Sequence, residues 1–339
     1  MIVRALAAAL LAALAVAGCG PERPPAPAAM PLRPAVSSAA DWLERHQDVE
    51  GAFRIRTFRR RCTDASCDSL GVAEAADACF TGLGAVLLSR ARPPREAAAT
   101  RAIRAIADWT AADGTISSPQ DRNDKKYVAY NQAAGVLALV EGVRSGVPGA
   151  KEALARAFPV LAALSRKATT DDSVGIMVVA LAAAGPLAGD PEGKASDAAL
   201  LDLEKIPCQI EVWIRGGADP AVKGWRHSAC ISAIACLRPP VPADARAHLL
   251  SLPPRLSRAD YYEWWYGAQA LARDPDPGAL AWRERCAEYL TDLQETKGCA
   301  RGSFAPIDRW SYSGGRLYAT IFPGLALAAI ADAGTGERK

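Results

Sequence analysis

Six times along this chain, a helical segment rich in charge is followed by one that is apolar or small on every face. A helix that is apolar all round has to be buried on all sides, and an amphipathic neighbour is what can cover it. The charged segments are 37–47, 95–111, 149–167, 196–212, 243–251 and 278–294. Their apolar partners are 77–91, 128–142, 172–185, 227–238, 261–272 and 317–332. Within 95–111 the 3.6-residue period sends Ile103, Ile106 and Trp109 inward and Arg101, Arg104 and Asp108 outward. Segment 149–167 repeats this with Leu154, Phe158 and Leu161, and 278–294 with Trp282, Cys286, Tyr289 and Leu293. No run of alternating β-branched residues is long enough for a sheet. Six hairpins of one design predict an all-α domain over 37–333, with six inner helices sheathed by six outer ones in two closed rings; an open solenoid is the competing layout.

The N-terminus has a different character. Arg4 precedes an unbroken run of apolar and small residues from Ala5 to Gly18, too short to cross a bilayer but suited to an export signal over 1–18. Val16-Ala17-Gly18-Cys19 looks like a bacterial lipobox, in which Cys19 takes the lipid and becomes the mature N-terminus. Six prolines follow between Gly20 and Val36, so 19–36 reads as an extended tether with no helix in it. By likeness to bacterial lipoproteins, Gly20 after Cys19 favours the outer membrane, facing the periplasm or the cell surface. Residues 334–339 read as a disordered tail.

Composition narrows the function classes. The chain has 339 residues, 50% hydrophobic and 23% charged, which is ample apolar material for a core. A net charge of +3 gives no basis for nucleic-acid binding. Nine cysteines leave eight once Cys19 is set aside, an even number that suggests disulfides in an exported chain. Cys62 and Cys67 share a loop, and Cys286 and Cys299 flank a helix end, so these are the candidate pairs; the connectivity stays open. With no C-x2-C pair, and no histidine near Cys62 or Cys67 in the sequence, neither a metal site nor a cofactor is predicted.

The loops carry a second repeat. HQDVEGAF at 46–53, DGTI at 113–116 and QETKG at 294–298 with GSF at 302–304 share its elements. A Gln by a helix end can bond free carbonyls, a Gly permits a left-handed turn, and an aromatic plugs the gap beneath. These loops resemble the QW-type motifs of terpene cyclases and protein prenyltransferase β-subunits, the α/α-toroid superfamily. The chain is more similar still to the bacterial prenyltransferase and squalene-oxidase repeat proteins. The likeness rests on HQDVEGAF, DACFTGLGAVLL (77–88), YVAYNQAAGVLALVEG (127–142), DDSVGIMVVALAAAG (171–185), DYYEWWYGAQAL (260–271) and GSFAPIDRWSYSGGRLYAT (302–320). It covers about residues 37–332 and implies an α/α toroid.

The chemistry that the superfamily offers can be tested residue by residue. Its squalene-hopene-type cyclases protonate an alkene with an acid in a D-x-D-D motif. The nearest match is Thr169-Thr170-Asp171-Asp172, where the first Asp is replaced by Thr; Asp171, Asp172 and Ser173 also suit a helix cap. Its protein prenyltransferases bind zinc with Asp-x-Cys and a distant His. Asp77-Ala78-Cys79 has that outline, but the next inner helix offers Tyr130-Asn131-Gln132 and no His. No G-x-S-x-G, H-E-x-x-H or phosphate loop is present. Tyr261, Tyr262, Trp264, Trp265 and Tyr266 wrap all sides of one inner helix, so some must face the ring axis, either as a ligand pocket or as a plug. Arg316 and Tyr318 stand beside them, Asp260 is placed to cap that helix, and Pro323-Gly324 should kink the last one. The expectation is therefore a lipid-anchored, extracytoplasmic toroid that binds or scaffolds an apolar small molecule or a partner protein. The enzyme alternative is a cyclase-like isomerase or lyase using Asp171 or Asp172.

Overall fold

The computed structural model describes residues 32–56, 58, 62, 64–67, 76–119, 127–167, 171–188 and 243–334. The expected signal, Cys19, the hairpin over 196–212 and 227–238, and the tail from 335 lie outside these. The described residues are mostly helical, with no strand among them. Two isolated antiparallel bridges, Thr110 with Ile116 and Gln294 with Phe304, pin loops.

Five charged helices are described: α1 (Leu32–His46), α3 (Glu96–Asp108), α5 (Ala150–Lys167), α7 (Ala243–Ser251) and α9 (Pro277–Leu293). The apolar ones are α2 (Asp77–Arg90), α4 (Val128–Arg144), α6 (Asp171–Ala184), α8 (Tyr261–Leu271) and α10 (Ser311–Gly334). The alternation read from hydropathy thus holds in every described hairpin. In α3, Ile103 and Ile106 are buried while Arg101, Arg104 and Asp108 face out. In α2 every residue from Asp77 to Leu88 is buried.

Two expectations need correction. The extended tether was placed as far as 36, but α1 begins at Leu32. Pro34 falls in its first turn, where a missing N–H costs nothing and the fixed φ is already helical. The kink expected at Pro323-Gly324 lies elsewhere. The backbone leaves helical angles at Gly315, with φ 55° and ψ −140°, and runs on through Pro323.

The apolar helices pack in a fixed sequence: α8 against α10, α10 against α2, α2 against α4, and α4 against α6. The last described apolar helix, α10, therefore lies beside the first, α2. The charged helices follow suit, α3 packing on α2 and α4, α5 on α4 and α6, and α1 on both α2 and α10. α10 is long and apolar enough to cross a membrane, but 94% of its apolar window is buried, as in a core helix.

Three loops join a hairpin to another charged helix by one repeated device. Gln47 donates its Nε2 to the carbonyls of Gly51 (2.9 Å) and of Ala98 in α3 (2.8 Å). Gln132 does the same to Gly114 (3.0 Å) and to Ala157 in α5 (3.0 Å), and its Oε1 accepts from Ile116 N (3.0 Å). Gln294 bonds Gly302 (2.9 Å) and Ala35 in α1 (2.8 Å). Each turn has a glycine with φ between 85° and 92°: Gly51, Gly114 and Gly302. A Cβ on Gly114 would lie 2.0 Å from the carbonyl oxygen of Arg156, and one on Gly302 would lie 2.0 Å from that of Ser38. Only glycine fits such an approach at such an angle. The plugs are Phe53, Ile116 and Phe304, all buried. Thr81 and Thr320 accept the backbone N–H of Phe53 (3.0 Å) and Phe304 (3.4 Å), the part that Gln132 plays for Ile116. The third joint runs from the last hairpin to the first outer helix.

Candidate functional site

α8 brings the five predicted aromatics together, and all five are buried. Asp260 caps the helix as expected, accepting Glu263 N at 3.0 Å. Tyr262 and Tyr266 lie one turn apart, with hydroxyls 3.1 Å apart and rings edge to face at 4.8 Å. Trp265 stacks at an angle on Tyr266 (4.6 Å) and meets Phe322 of α10 edge-on (5.1 Å). Tyr262 and Tyr318 also contact Phe322. On the other side, Trp264 faces Tyr289 of α9 and Tyr261 meets Phe304. Tyr262 also meets Trp310, and Trp282 packs on the same helix where a Cβ on Gly267 would sit.

Two carboxylates tie this helix to α10. Asp308, which sequence reasoning did not single out, accepts five hydrogen bonds. Its Oδ2 takes Tyr261 N (2.8 Å) and the Tyr318 hydroxyl (2.9 Å). Its Oδ1 takes Trp310 N (3.1 Å), Ser311 N (2.9 Å) and Ser311 Oγ (2.7 Å). The clue was available: an Asp three residues before the first helical Ser is a cap signal. Asp260 receives Arg309 through Nε (3.1 Å) and Nη2 (2.9 Å). Burial raises the Asp260 carboxyl despite these donors. Both acids have their lone pairs committed to donors, which makes them joints between helices. Tyr318 lies close to Asp308 and Asp260, and burial with these neighbours lifts its phenol well above the usual range. Glu263 is also raised, to about 7, by burial first and by Asp260 second.

Arg316, named with the aromatics, is buried. Its Nη1 donates to Ser303 Oγ (3.0 Å) and to the carbonyl of Phe304 (3.2 Å), so it braces the last loop. Asp171 and Asp172 stand in the first turn of α6, where the positive end of a helix favours carboxylates; their side chains lie outside the described residues. In the Asp77-x-Cys79 pair, the Asp77 carboxylate accepts Ile55 N (3.3 Å), and Cys79 N donates to Asn131 Oδ1 (3.0 Å).

Two buried donors on α8 are left over. Trp265 Nε1 and Gln269 Nε2 lie one helical turn apart, both out of contact with solvent and both without an acceptor among the described residues. A buried N–H without an acceptor costs on the order of 1–3 kcal/mol, so a pair on one face is a feature to be explained.

The cysteines depart from expectation. Cys62, Cys67, Cys286 and Cys299 are all free thiols. Cys286 is buried in α9, where burial raises its thiol, and it does not pair with Cys299. Cys299 instead lies 3.6 Å from Cys62 and 3.4 Å from His46 Nε2. The statement that no histidine lies near Cys62 and Cys67 is thus corrected: it is true along the chain and false in space. Trp42-x3-His46 on one helix face was the available signal, but nothing in the sequence says that residue 299 returns to it.

No family model, no curated protein and no solved structure matches this chain.

Proposed function

We propose that this chain is an α/α toroid, exported and held to a membrane by lipid at Cys19, which binds an apolar molecule and carries out no chemistry on it. Support for ring closure comes from the repeated joint: hairpin-to-next-helix contacts made at Gly51 and Gly114 recur at Gly302, where the next helix is α1. The QW-like loops and the order of the inner helices fit the resemblance to prenyltransferase and squalene-oxidase repeat proteins.

The observation that carries the binding reading is the pair of leftover donors on α8. Trp265 and Gln269 present two N–H groups among buried rings, with no acceptor among their neighbours. A ligand with a greasy body and an acceptor oxygen would satisfy both, the usual division of labour in a small-molecule site. The nearby acids support binding over catalysis, since Asp260 and Asp308 are saturated by Arg309, Tyr261, Tyr318 and Ser311.

The test is lipid extraction and native mass spectrometry of the full chain purified from its own membrane. A Trp265→Phe, Gln269→Leu double variant is treated in parallel. The expected result is a co-purifying apolar, oxygen-bearing molecule, at one per chain, that the double variant loses while staying folded. An equal load on both proteins, or none on either, overturns the reading.

A further inference from the structure

His46, Cys62, Cys67 and Cys299 meet at the joint between the last hairpin and the first outer helix, away from the α8 aromatics. His46 ends α1. Cys67 ends a short 3-10 turn, Ala65–Cys67. Asp64 shapes that turn by accepting Ser66 N (2.8 Å) and Ser66 Oγ (2.7 Å). The same carboxylate lies near the Cys299 backbone, and its bonds to Ser66, with that neighbour, hold it below the usual range. Gly298, with φ 62°, turns the chain immediately before Cys299.

The four ligand atoms, three sulfurs and one imidazole nitrogen, all lie within 4.8 Å of one another. Bond lengths of about 2.3 Å for zinc–sulfur and about 2.0–2.1 Å for zinc–nitrogen set tetrahedral edges of about 3.8 Å between sulfurs and about 3.6 Å from sulfur to nitrogen. The observed edges are 3.6 Å for Cys62–Cys299 and 3.4 Å for Cys299–His46.

The surroundings match a metal site more closely than a chance meeting of thiols. His46 Nδ1 sits 2.7 Å from the carbonyl of Trp42. A proton on that nitrogen donates there, leaving the Nε2 lone pair bare on the side of Cys299, as in metal-bound histidines. The ring packs against Trp42 (centroids 4.4 Å) and Phe58 (5.4 Å), which also touch each other (5.6 Å). The Trp42 indole N–H beside the cluster is buried without a hydrogen-bond partner among the described residues. Arg45 and Arg316 act on His46 through space and would offset the surplus negative charge of three thiolates on a divalent ion.

We propose that His46, Cys62, Cys67 and Cys299 form a structural zinc site that clasps the first outer helix to the last hairpin loop. Binding one Zn2+ to three thiols and one neutral imidazole releases three protons and leaves a complex of charge −1. No electron moves and no oxidant is required. Four protein ligands fill the tetrahedron, so the ion is structural rather than catalytic. Three soft sulfurs and one nitrogen favour zinc over magnesium or calcium. The clasp does not depend on what, if anything, lies over α8.

The test is metal analysis of the full chain purified without chelator, with cobalt substitution as a second readout. The proposal expects one zinc per chain, and cobalt should give the intense visible bands of a tetrahedral thiolate site. Cys299→Ser and Cys67→Ser should each reduce bound zinc at least tenfold, whereas Cys286→Ser should retain it. If a serine variant fails to fold, wild-type alkylation decides: Cys62, Cys67 and Cys299 should be protected until chelator is added and modified together afterwards. A metal-free protein with a Cys62–Cys299 or Cys62–Cys67 disulfide, a metal-free protein with open thiols, or zinc content unchanged in Cys299→Ser would each overturn it.

Discussion

The turn at 110–116 and the turn at 294–304 share one design and differ in what is added to it. Both place a glycine against an outer-helix carbonyl, Arg156 in one case and Ser38 in the other. In both, a buried glutamine amide bonds one turn carbonyl and one helix carbonyl. Only the second has a cysteine, Cys299, that meets two more and a histidine. The first joins neighbours in sequence, with Gln132 bonding a residue 25 positions away. The second joins Gln294 to Ala35 across 259 positions. Closing so long a loop costs more chain entropy, and an added cross-link is most effective there. The contrast separates what the repeat supplies everywhere from what this chain adds at one place.

The most disruptive way to break the comparison is to put a side chain on either turn glycine. Gly114→Ala and Gly302→Ala should each destabilise by on the order of 4 kcal/mol, read from denaturant midpoints, because a left-handed angle and a backbone clash coincide. Next in size, Gln132→Ala and Gln294→Ala should each cost about 2–3 kcal/mol by stranding buried backbone groups. Zinc removal should distinguish the joints: hydrogen exchange should quicken in 32–46 and 294–304 and stay unchanged in 110–116. Equal quickening at both would show that the two joints are not independent.

The smallest expected effect concerns pH. Glu263 is raised to about 7 by burial, above the ordinary glutamate value. The folded state therefore holds its proton more tightly than the unfolded one, and stability falls as pH rises from near 4.5 through 7. Glu263→Gln should flatten the pH dependence of the melting temperature in that window. A slope unchanged by the substitution would remove Glu263 as its source.

Helix boundaries were legible because hydropathy alone decides which helices are buried, and α2 and α4 follow it closely. The start of α1 was misread because prolines were counted rather than placed; Pro34 sits where a helix tolerates it. The aromatic helix was legible as a unit, and its cap Asp260 was found. Asp308 was missed because its partners, Tyr261 and Tyr318, come from two other segments. The cysteine pairing failed for a related reason. Nearness along the chain suggested Cys286 for Cys299, while the fold delivers Cys62 across 237 positions. Local periodicity encodes elements, whereas a meeting of chain ends is encoded only in the sum of all the turns.

α1 is the first described element, and it rests on α10 and on the 294–304 turn as well as on α2. Tension arriving through residues 1–31 would therefore enter the domain at a seam whose other lip is the far end of the polypeptide. Pulling would have to part that seam before it could peel the next hairpin. Resistance to force would then reside in a few residues on either side of one joint, where Gln294 bonds Ala35 and Cys299 meets His46.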